Sequence, residues 1–290
     1  ARYIGAGGIW VDDNWYDQKG NWNNVHGDDF KALNEYCKKN GMTFGLWYPP
    51  WHAEATSTLL MQHPEYQVTG DTYEYYGYHL NQARADVFNW EIGFLNERQA
   101  VWGSHMWRFD GDMAYPGDNR TNDNDMLAQS NNFFGLLKQF KDSNPDAGIF
   151  GCASGGSQMT IETIRYTDIN QVCDDGIGHW DGYWDTLLFP PDKLNSGHGI
   201  GWSMSFDKQM QNDLRNVSAI GMGNASQPAD KESYRKVIDL YRYLKTEGVA
   251  GRWTKVYRQN VSANEDKTFY LQKMSSDVLR GYITNMHSAV

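Results

Sequence analysis

Short apolar runs that end at Asp, Pro or Gly alternate along the chain with longer segments of helical period. This alternation is typical of repeated βα units and predicts an α/β protein. The strand candidates are GGIWVDD (7–13), MTFGLWYPP (42–50), GYHLN (77–81), HMWRFD (105–110), AGIFGCASGG (147–156), INQVCDD (169–175) and HGIGWSM (198–204). Amphipathic helices are predicted over 30–37, 126–140 and 234–244, where apolar residues recur at helical spacing before a Gly or Pro stop.

The spacing of these units favours one α/β architecture. Six steps from Asp13 to His198 cover 185 residues, and a (β/α)8 barrel of about 250 residues implies a similar length per unit, about 31. A doubly wound sheet more often carries GxGxxG after its first strand, and that motif is absent. The spacing therefore predicts a (β/α)8 TIM barrel over 1–248. Seven strand candidates are one too few, so we expect the chain to lack the first strand.

The pattern changes after Gly248. The segments VAGRWTKVYRQN and KTFYLQKMSSDVLRGYIT alternate apolar and polar residues at period two, which predicts the opening strands of an antiparallel β-sandwich domain over 249–290. A barrel that lacks a strand has an open edge and exposed apolar surface. We therefore expect the chain to be stable only with the rest of its polypeptide or in a homo-oligomer.

Composition and charge exclude several classes of protein. A net charge of −10 argues against nucleic acid as a partner, and no apolar stretch approaches the roughly 18 to 20 residues of a membrane span. Three cysteines without a CxxC pattern argue against a disulfide framework and a structural zinc site. The 12 Trp, 18 Tyr and 29 Gly suit a sugar-binding protein, although aromatic side chains also simply fill a large core.

Acidic residues gather where the predicted strands end. The pairs are Asp12 with Asp13, Asp110 with Asp112, and Asp174 with Asp175. In a TIM barrel the active site lies at the carboxyl ends of the strands, although any one such carboxylate can be an ordinary helix cap. Glycoside hydrolysis is the chemistry that most plainly uses two carboxylates, one at the anomeric centre and one that holds and returns a proton.

Several motifs occur in an order that resembles a known family. They are VDDNWYD (11–17) followed by GNW (20–22), NGMTFGLWYPPW (40–51) followed by HPEY (63–66), WRFDGD (107–112), GCASGG (151–156), VCDD (172–175) and FPPDKLNSGH (189–198). In this order they resemble the motifs of the α-galactosidases of glycoside hydrolase family 36. The resemblance covers about residues 5–248.

The resemblance implies roles for individual residues. Asp110 corresponds to the nucleophile and Asp174 to the general acid/base. The implied substrate-binding residues are Asp12, Asp13, Trp47, Arg108 in place of a hydroxyl-binding Lys, Cys152, Gly155 and Gly156. Neither a cofactor nor a metal is implied. The family also has a β-sandwich before the barrel and a β domain after it, so the remainder of the same polypeptide is an expected partner.

The departures from the family pattern fall mostly on sugar-recognition positions. These are Trp51, Asn81, Gln158, Thr160 and Gln171. The expected activity is therefore that of a retaining α-glycosidase acting on an α-linked oligosaccharide or glycoside, with the sugar left open between galactose and another. Two other functions stay open: a transglycosylase that uses the same carboxylates, and a carbohydrate-binding barrel without turnover.

Overall fold

The computed structural model describes residues 1–26, 29–71, 77–111, 126–152, 156–172, 188–195, 228–246, 255–258, 269–273 and 283–285. The chain divides into two compact units, one formed by residues 7–168 and the other by residues 1–6 with 169–290. No helix among the described residues is long and apolar enough to cross a membrane.

The unit formed by residues 7–168 alternates strands and helices. Its strands are β1 (Gly8–Val11), β2 (Thr43–Tyr48), β3 (His52–Ala53), β4 (Tyr78–His79), β5 (Met106–Phe109) and β6 (Gly148–Gly151). Its helices are α1 (Asp29–Lys39), α2 (Thr58–Gln62), α3 (Ala85–Trp102), α4 (Met126–Ser143) and α5 (Ile161–Tyr166). Four strands form a parallel sheet in the order β1-β2-β5-β6. The carboxyl ends of these four strands therefore point the same way.

The middle of this sheet is buried on both faces. Every residue of β2 after Thr43 is buried, which explains its nearly continuous apolar sequence. Gly45 is required by close packing, since a Cβ there would lie 2.8 Å from the backbone oxygen of Met106 on β5. Strand β2 is therefore packed closely against β5, the strand that the candidate nucleophile Asp110 follows.

The helices pack on the sheet and on one another. Helix α1 contacts β2, and α3 contacts both α1 and α4. Helix α3 ends at Gly103, which has a φ of 62°, as is common for a C-terminal cap. Nδ2 of Asn34 on α1 donates to the carbonyl oxygens of Trp102, at 3.0 Å, and of Gly103, at 2.7 Å. This side chain therefore satisfies carbonyls that the end of α3 leaves without helical partners.

The prediction that GYHLN (77–81) forms a barrel strand is wrong. Only Tyr78 and His79 are in strand conformation, and they pair antiparallel with β3, while β2 pairs directly with β5. The backbone of this segment instead forms hydrogen bonds with residues 51 and 68. The Leu80 N–H donates to the carbonyl oxygen of Trp51 at 2.7 Å, and the carbonyl oxygen of His79 accepts from the Val68 N–H at 2.9 Å. An apolar run of five residues does not distinguish a parallel strand from a hairpin strand.

In the other unit the described residues form short strands and one long helix. Strands β7 (Ile169–Gln171) and β8 (Leu194–Asn195) are parallel, and α6 (Pro228–Thr246) packs Tyr234 and Ile238 against Ile4 near the amino terminus. The predicted period-two region contains β9 (Lys255–Arg258), β10 (Phe269–Lys273) and β11 (Ile283–Asn285), which form an antiparallel sheet with β10 in the centre. The predicted strand at 198–204 lies outside the described residues.

Candidate active site at the ends of the parallel strands

Asp110 follows directly after β5 and is held by hydrogen bonds at both carboxylate oxygens. The indole Nε1 of Trp47 donates to Oδ2 at 2.8 Å, and the Gly111 backbone N–H donates to Oδ1 at 2.9 Å. The residue is only 8% exposed. Two N–H donors fix the direction of the carboxylate.

Arg108 lies two residues earlier on β5 and links the ends of β1 and β6. Nη1 forms an ion pair with Oδ2 of Asp12 at 2.9 Å, and Nη2 donates to Sγ of Cys152 at 3.2 Å. The guanidinium also lies 5.8 Å from the ring centroid of Trp10 and 5.5 Å from that of Phe150. The side chain is therefore fixed across β1, β5 and β6.

The charge of Arg108 is stabilised by its surroundings. Burial opposes the charge, but the interactions with Cys152, Asp12 and Asp110 outweigh it and raise the pKa of the guanidinium. Arg108 therefore remains a permanent cation beside Asp110. A planar guanidinium serves two partners at once, which an ammonium group on a lysine does less well.

The two acidic residues after β1 have different surroundings. The side chain of Asp12 is 58% exposed at its ion pair with Arg108. Asp13 is half-buried, and its Oδ1 accepts from the Tyr16 hydroxyl and from the Asn14 backbone N–H. Both carboxylates therefore lie at the same sheet edge as Asp110, with Asp12 the more accessible.

Trp47 is placed to hold Asp110 rather than to offer a wide sugar-binding surface. Its ring is 2% exposed and stacks on Tyr16, with ring centroids 6.2 Å apart and planes 16° apart. Its carbonyl accepts from Trp15 Nε1 at 2.7 Å. The hydrogen bond to Asp110 and the stacking on Tyr16 thus hold the side chain in one direction, and the hydrogen bond from Trp15 holds its backbone.

The segment from residue 12 to residue 26, which we call the first βα loop, carries an aromatic core of its own. Trp15 and Trp22 are fully buried. Trp15 packs edge-on against Phe30 and against Trp102, with centroid distances of 5.5 and 5.4 Å, and Trp22 packs against Tyr48 at 4.8 Å. The loop that supplies Asp12 and Asp13 is therefore anchored to the helices and to β2.

The other expected site residues are only partly described. Cys152 is a buried free thiol after β6, and its carbonyl accepts from the Gly156 N–H at 2.6 Å. Gly156 has a φ of 98°, which only glycine adopts readily. Asp174 and Gly155 lie outside the described residues.

The described residues thus bring together Asp12, Asp13, Trp47, Arg108, Asp110 and Cys152. Within the described ranges no group of His, Cys, Asp and Glu is arranged to hold a metal ion.

Sequence reasoning missed a buried acid behind the end of β2. Glu91 on α3 is fully buried, and its two oxygens accept from the Tyr48 hydroxyl at 2.6 Å and from the Trp51 backbone N–H at 3.3 Å. Burial raises its pKa to about 7, although both hydrogen bonds act in the opposite direction. Glu91 also holds Trp51 in a left-handed conformation with a φ of 69°. The sequence did contain a sign of this burial, because Glu91 lies on the same helical stripe as the apolar residues Val87 and Leu95.

Comparisons with known proteins identify a family and similar folds. A family model described as melibiase matches residues 5–224. An α-galactosidase of Escherichia coli is 23% identical over 279 residues, a match that covers 83% of this chain and 38% of that protein. The crystal structure of a GH36 α-galactosidase from Geobacillus stearothermophilus has a TM-score of 0.82 at 15% identity, over 96% of this chain and 42% of that one. An α-galactosidase from Lactobacillus brevis has a TM-score of 0.81 at 17% identity, over 96% and 41%.

Two expectations from the sequence are thereby confirmed, the resemblance to family 36 and the TIM-barrel class. The chain spans less than half the length of each of these relatives. Because the family model matches well over half of its residues, the chain belongs to the melibiase family.

Proposed function

We propose that the chain carries the catalytic centre of a retaining α-glycosidase of the α-galactosidase type, with Asp110 as the nucleophile and Asp174 as the general acid/base. The observation that carries the proposal is the Asp110 carboxylate at the end of β5, fixed by Trp47 and Gly111 and lying beside Arg108. The proposed reaction requires no metal ion, because two carboxylates supply both the nucleophile and the proton.

The proposed reaction proceeds in two displacements. The Asp110 carboxylate attacks the anomeric carbon while Asp174 gives its proton to the departing aglycone oxygen, which leaves a covalent glycosyl ester. Asp174 then takes a proton from water, the water oxygen attacks the anomeric carbon, and the Asp110 carboxylate is released. Two inversions restore the α configuration of the product.

The remaining residues are assigned to substrate binding. Asp12 and Asp13 accept hydrogen bonds from sugar hydroxyls, and Arg108 fixes Asp12 at 2.9 Å. Cys152, Gly155 and Gly156 are assigned to the part of the site where the backbone approaches the sugar ring. Variants of the Geobacillus stearothermophilus enzyme have been crystallised with stachyose and with raffinose, which supports an oligosaccharide as the class of substrate.

The decisive experiment uses a panel of α-linked p-nitrophenyl glycosides with the full-length protein. We expect Asp110→Ala to abolish release of p-nitrophenol and azide to restore it with a β-glycosyl azide as product, because azide enters the space of the missing carboxylate. Asp146→Ala serves as the matched control, since Asp146 is an exposed aspartate in the same unit. Asp174→Ala should slow cleavage of oligosaccharides far more than that of p-nitrophenyl glycosides, whose leaving group needs no proton.

The outcomes separate the proposal from its rivals. Transfer of the sugar to an acceptor at high substrate concentration would identify a transglycosylase that uses the same carboxylates. A folded protein that turns over none of the panel, and that binds sugar equally well after Asp110→Asn, would refute the hydrolase and identify a carbohydrate-binding barrel.

A further inference from the structure

Two buried histidines lie side by side in the short hairpin of β3 and β4. His52 and His79 are each 2% exposed, and their ring centroids are 4.7 Å apart. Nδ1 of His52 lies 2.8 Å from the carbonyl oxygen of Pro50. Nδ1 of His79 lies 3.1 Å from Oδ2 of Asp71, which also accepts the His79 backbone N–H at 2.7 Å. The three side chains form a connected group in the interior.

The partners of these rings determine where their protons lie. A carbonyl oxygen only accepts, so Nδ1 of His52 carries the hydrogen and donates it to Pro50. The same argument gives His79 a hydrogen on Nδ1, donated to Asp71. Burial, followed by the neighbouring His79, lowers the pKa of His52 to about 3. The His52 imidazole is therefore neutral near pH 7.

The ring of His52 also touches the turn that carries the candidate nucleophile. A Cβ at position 111 would lie 2.7 Å from Cε1 and 3.1 Å from Nδ1 of His52. Gly111 has a φ of 81°, and its N–H is the donor to Oδ1 of Asp110. The imidazole thus fills the space beside the one residue whose backbone direction determines that hydrogen bond.

We infer that His52, fixed by His79 and Asp71, is a positioning residue that holds the Gly111 turn and thereby aims the Asp110 carboxylate. The inference rests on the proposed role of Asp110 as the nucleophile. Without the imidazole, the glycine turn has space to relax, and the N–H at Oδ1 loses its fixed direction. Only the Trp47 donor at Oδ2 then remains of the two described above.

The expected signature is a loss of turnover with little loss of binding. A displacement of about 1 Å at a reacting group costs up to about 100-fold in rate, so we expect His52→Ala to lower kcat by about 10- to 100-fold while KM stays close to that of the parent. His52→Asn should recover most of the loss, because the asparagine Nδ2 can donate to Pro50 in place of the histidine Nδ1. The matched control is His105→Ala, since His105 is exposed at the opposite end of β5 and its removal should change neither constant.

A double-mutant cycle tests the contact itself. Gly111→Ala strains the backbone at a φ of 81° in either background, and in the parent its methyl group also meets the His52 ring, so it should lower kcat further in the parent than in the His52→Ala background. Equal effects in both backgrounds would overturn the inference. If His52→Ala does not fold, His52→Val, which leaves a smaller cavity, decides: a lowered kcat with an unchanged KM supports the positioning role, and a parental kcat refutes it.

The design distinguishes failure of the inference from failure of the proposed function. If Asp110→Ala is inactive while a folded His52→Ala keeps the parental kcat, the positioning role is refuted and the nucleophile stands. If Asp110→Ala keeps its activity, the proposed function fails, and the role of His52 fails with it. Nitrogen-15 NMR of the imidazoles gives a further readout, since a His52 ring that titrates near neutral pH would contradict the buried neutral tautomer.

Discussion

Replacing Glu91 with glutamine should remove an unusual pH dependence from the stability of the protein. Glu91 is fully buried between Tyr48 and the Trp51 backbone, and its pKa in the folded protein is about 7 against a value of 4.5 for an ordinary glutamate. A glutamine can still accept from Trp51 and contact the Tyr48 hydroxyl, but it never carries a charge. Glu91→Gln therefore isolates the cost of the buried charge.

The sign and the size follow from the two pKa values. Between pH 4.5 and about 7 the unfolded chain releases this proton while the folded protein keeps it, so the free energy of unfolding falls as the pH rises. The full difference corresponds to about 3 kcal/mol, and about 2 to 3 kcal/mol of it is lost between about pH 5 and about pH 8. Below the ordinary value both states are protonated, and the contribution of Glu91 is fully retained.

Urea denaturation near pH 5 and near pH 8 measures this effect. The parent should lose about 2 to 3 kcal/mol more than Glu91→Gln over that interval, because contributions from all other groups cancel in the comparison. Glu97→Gln is the control, since Glu97 is exposed on the same helix, and it should keep the pH dependence of the parent. Parallel curves for the parent and Glu91→Gln would refute a buried acid with a raised pKa.

Three further predictions concern the sheet and the site. Trp47→Phe removes the 2.8 Å hydrogen bond to Asp110 and should lower kcat by about tenfold or more; an unchanged kcat would contradict the positioning of the carboxylate by the indole. Arg108→Lys cannot serve both of its partners and should lower kcat/KM by about tenfold, which steady-state kinetics would disprove if the ratio stayed constant. Gly45→Ala places a methyl group 2.8 Å from the Met106 oxygen and should lower the free energy of unfolding by about 2 to 3 kcal/mol, so a parental melting temperature would show that the sheet adapts.

The sequence was informative wherever a feature is local. An apolar run followed by a carboxylate correctly placed Asp110 at the end of β5, because strand periodicity and the end of a strand are set by neighbouring residues. The contacts of Arg108 were not predictable in this way, since its partners lie 96 and 44 residues away in the chain. The run at 77–81 was misassigned for the same reason, because the backbone of Val68 and Trp51 decides its pairing.

The raised pKa of Glu91 and the packing of His52 are harder to predict from the sequence. Both depend on complete burial, which is a property of the packed fold and not of the residue. A glutamate on an apolar helical stripe suggests an interior carboxyl group, but only the positions of Tyr48 and Trp51 show how it is satisfied. The two histidines carry no spacing signal, because His52 and His79 meet through a hairpin.

The anchoring of the first βα loop by Trp15 and Trp22 limits how substrate specificity can change in enzymes that share these two residues. Loops at the carboxyl end of a barrel commonly alter specificity through insertions and deletions. Here Trp15 and Trp22 belong to the interior, so an added residue between them would pull large rings out of the core and cost several kcal/mol, roughly that of removing a buried aromatic side chain. Diversification at this edge is therefore restricted to exchanges of single side chains at fixed backbone positions, such as Asp12, and changes of loop length have to occur elsewhere around the barrel.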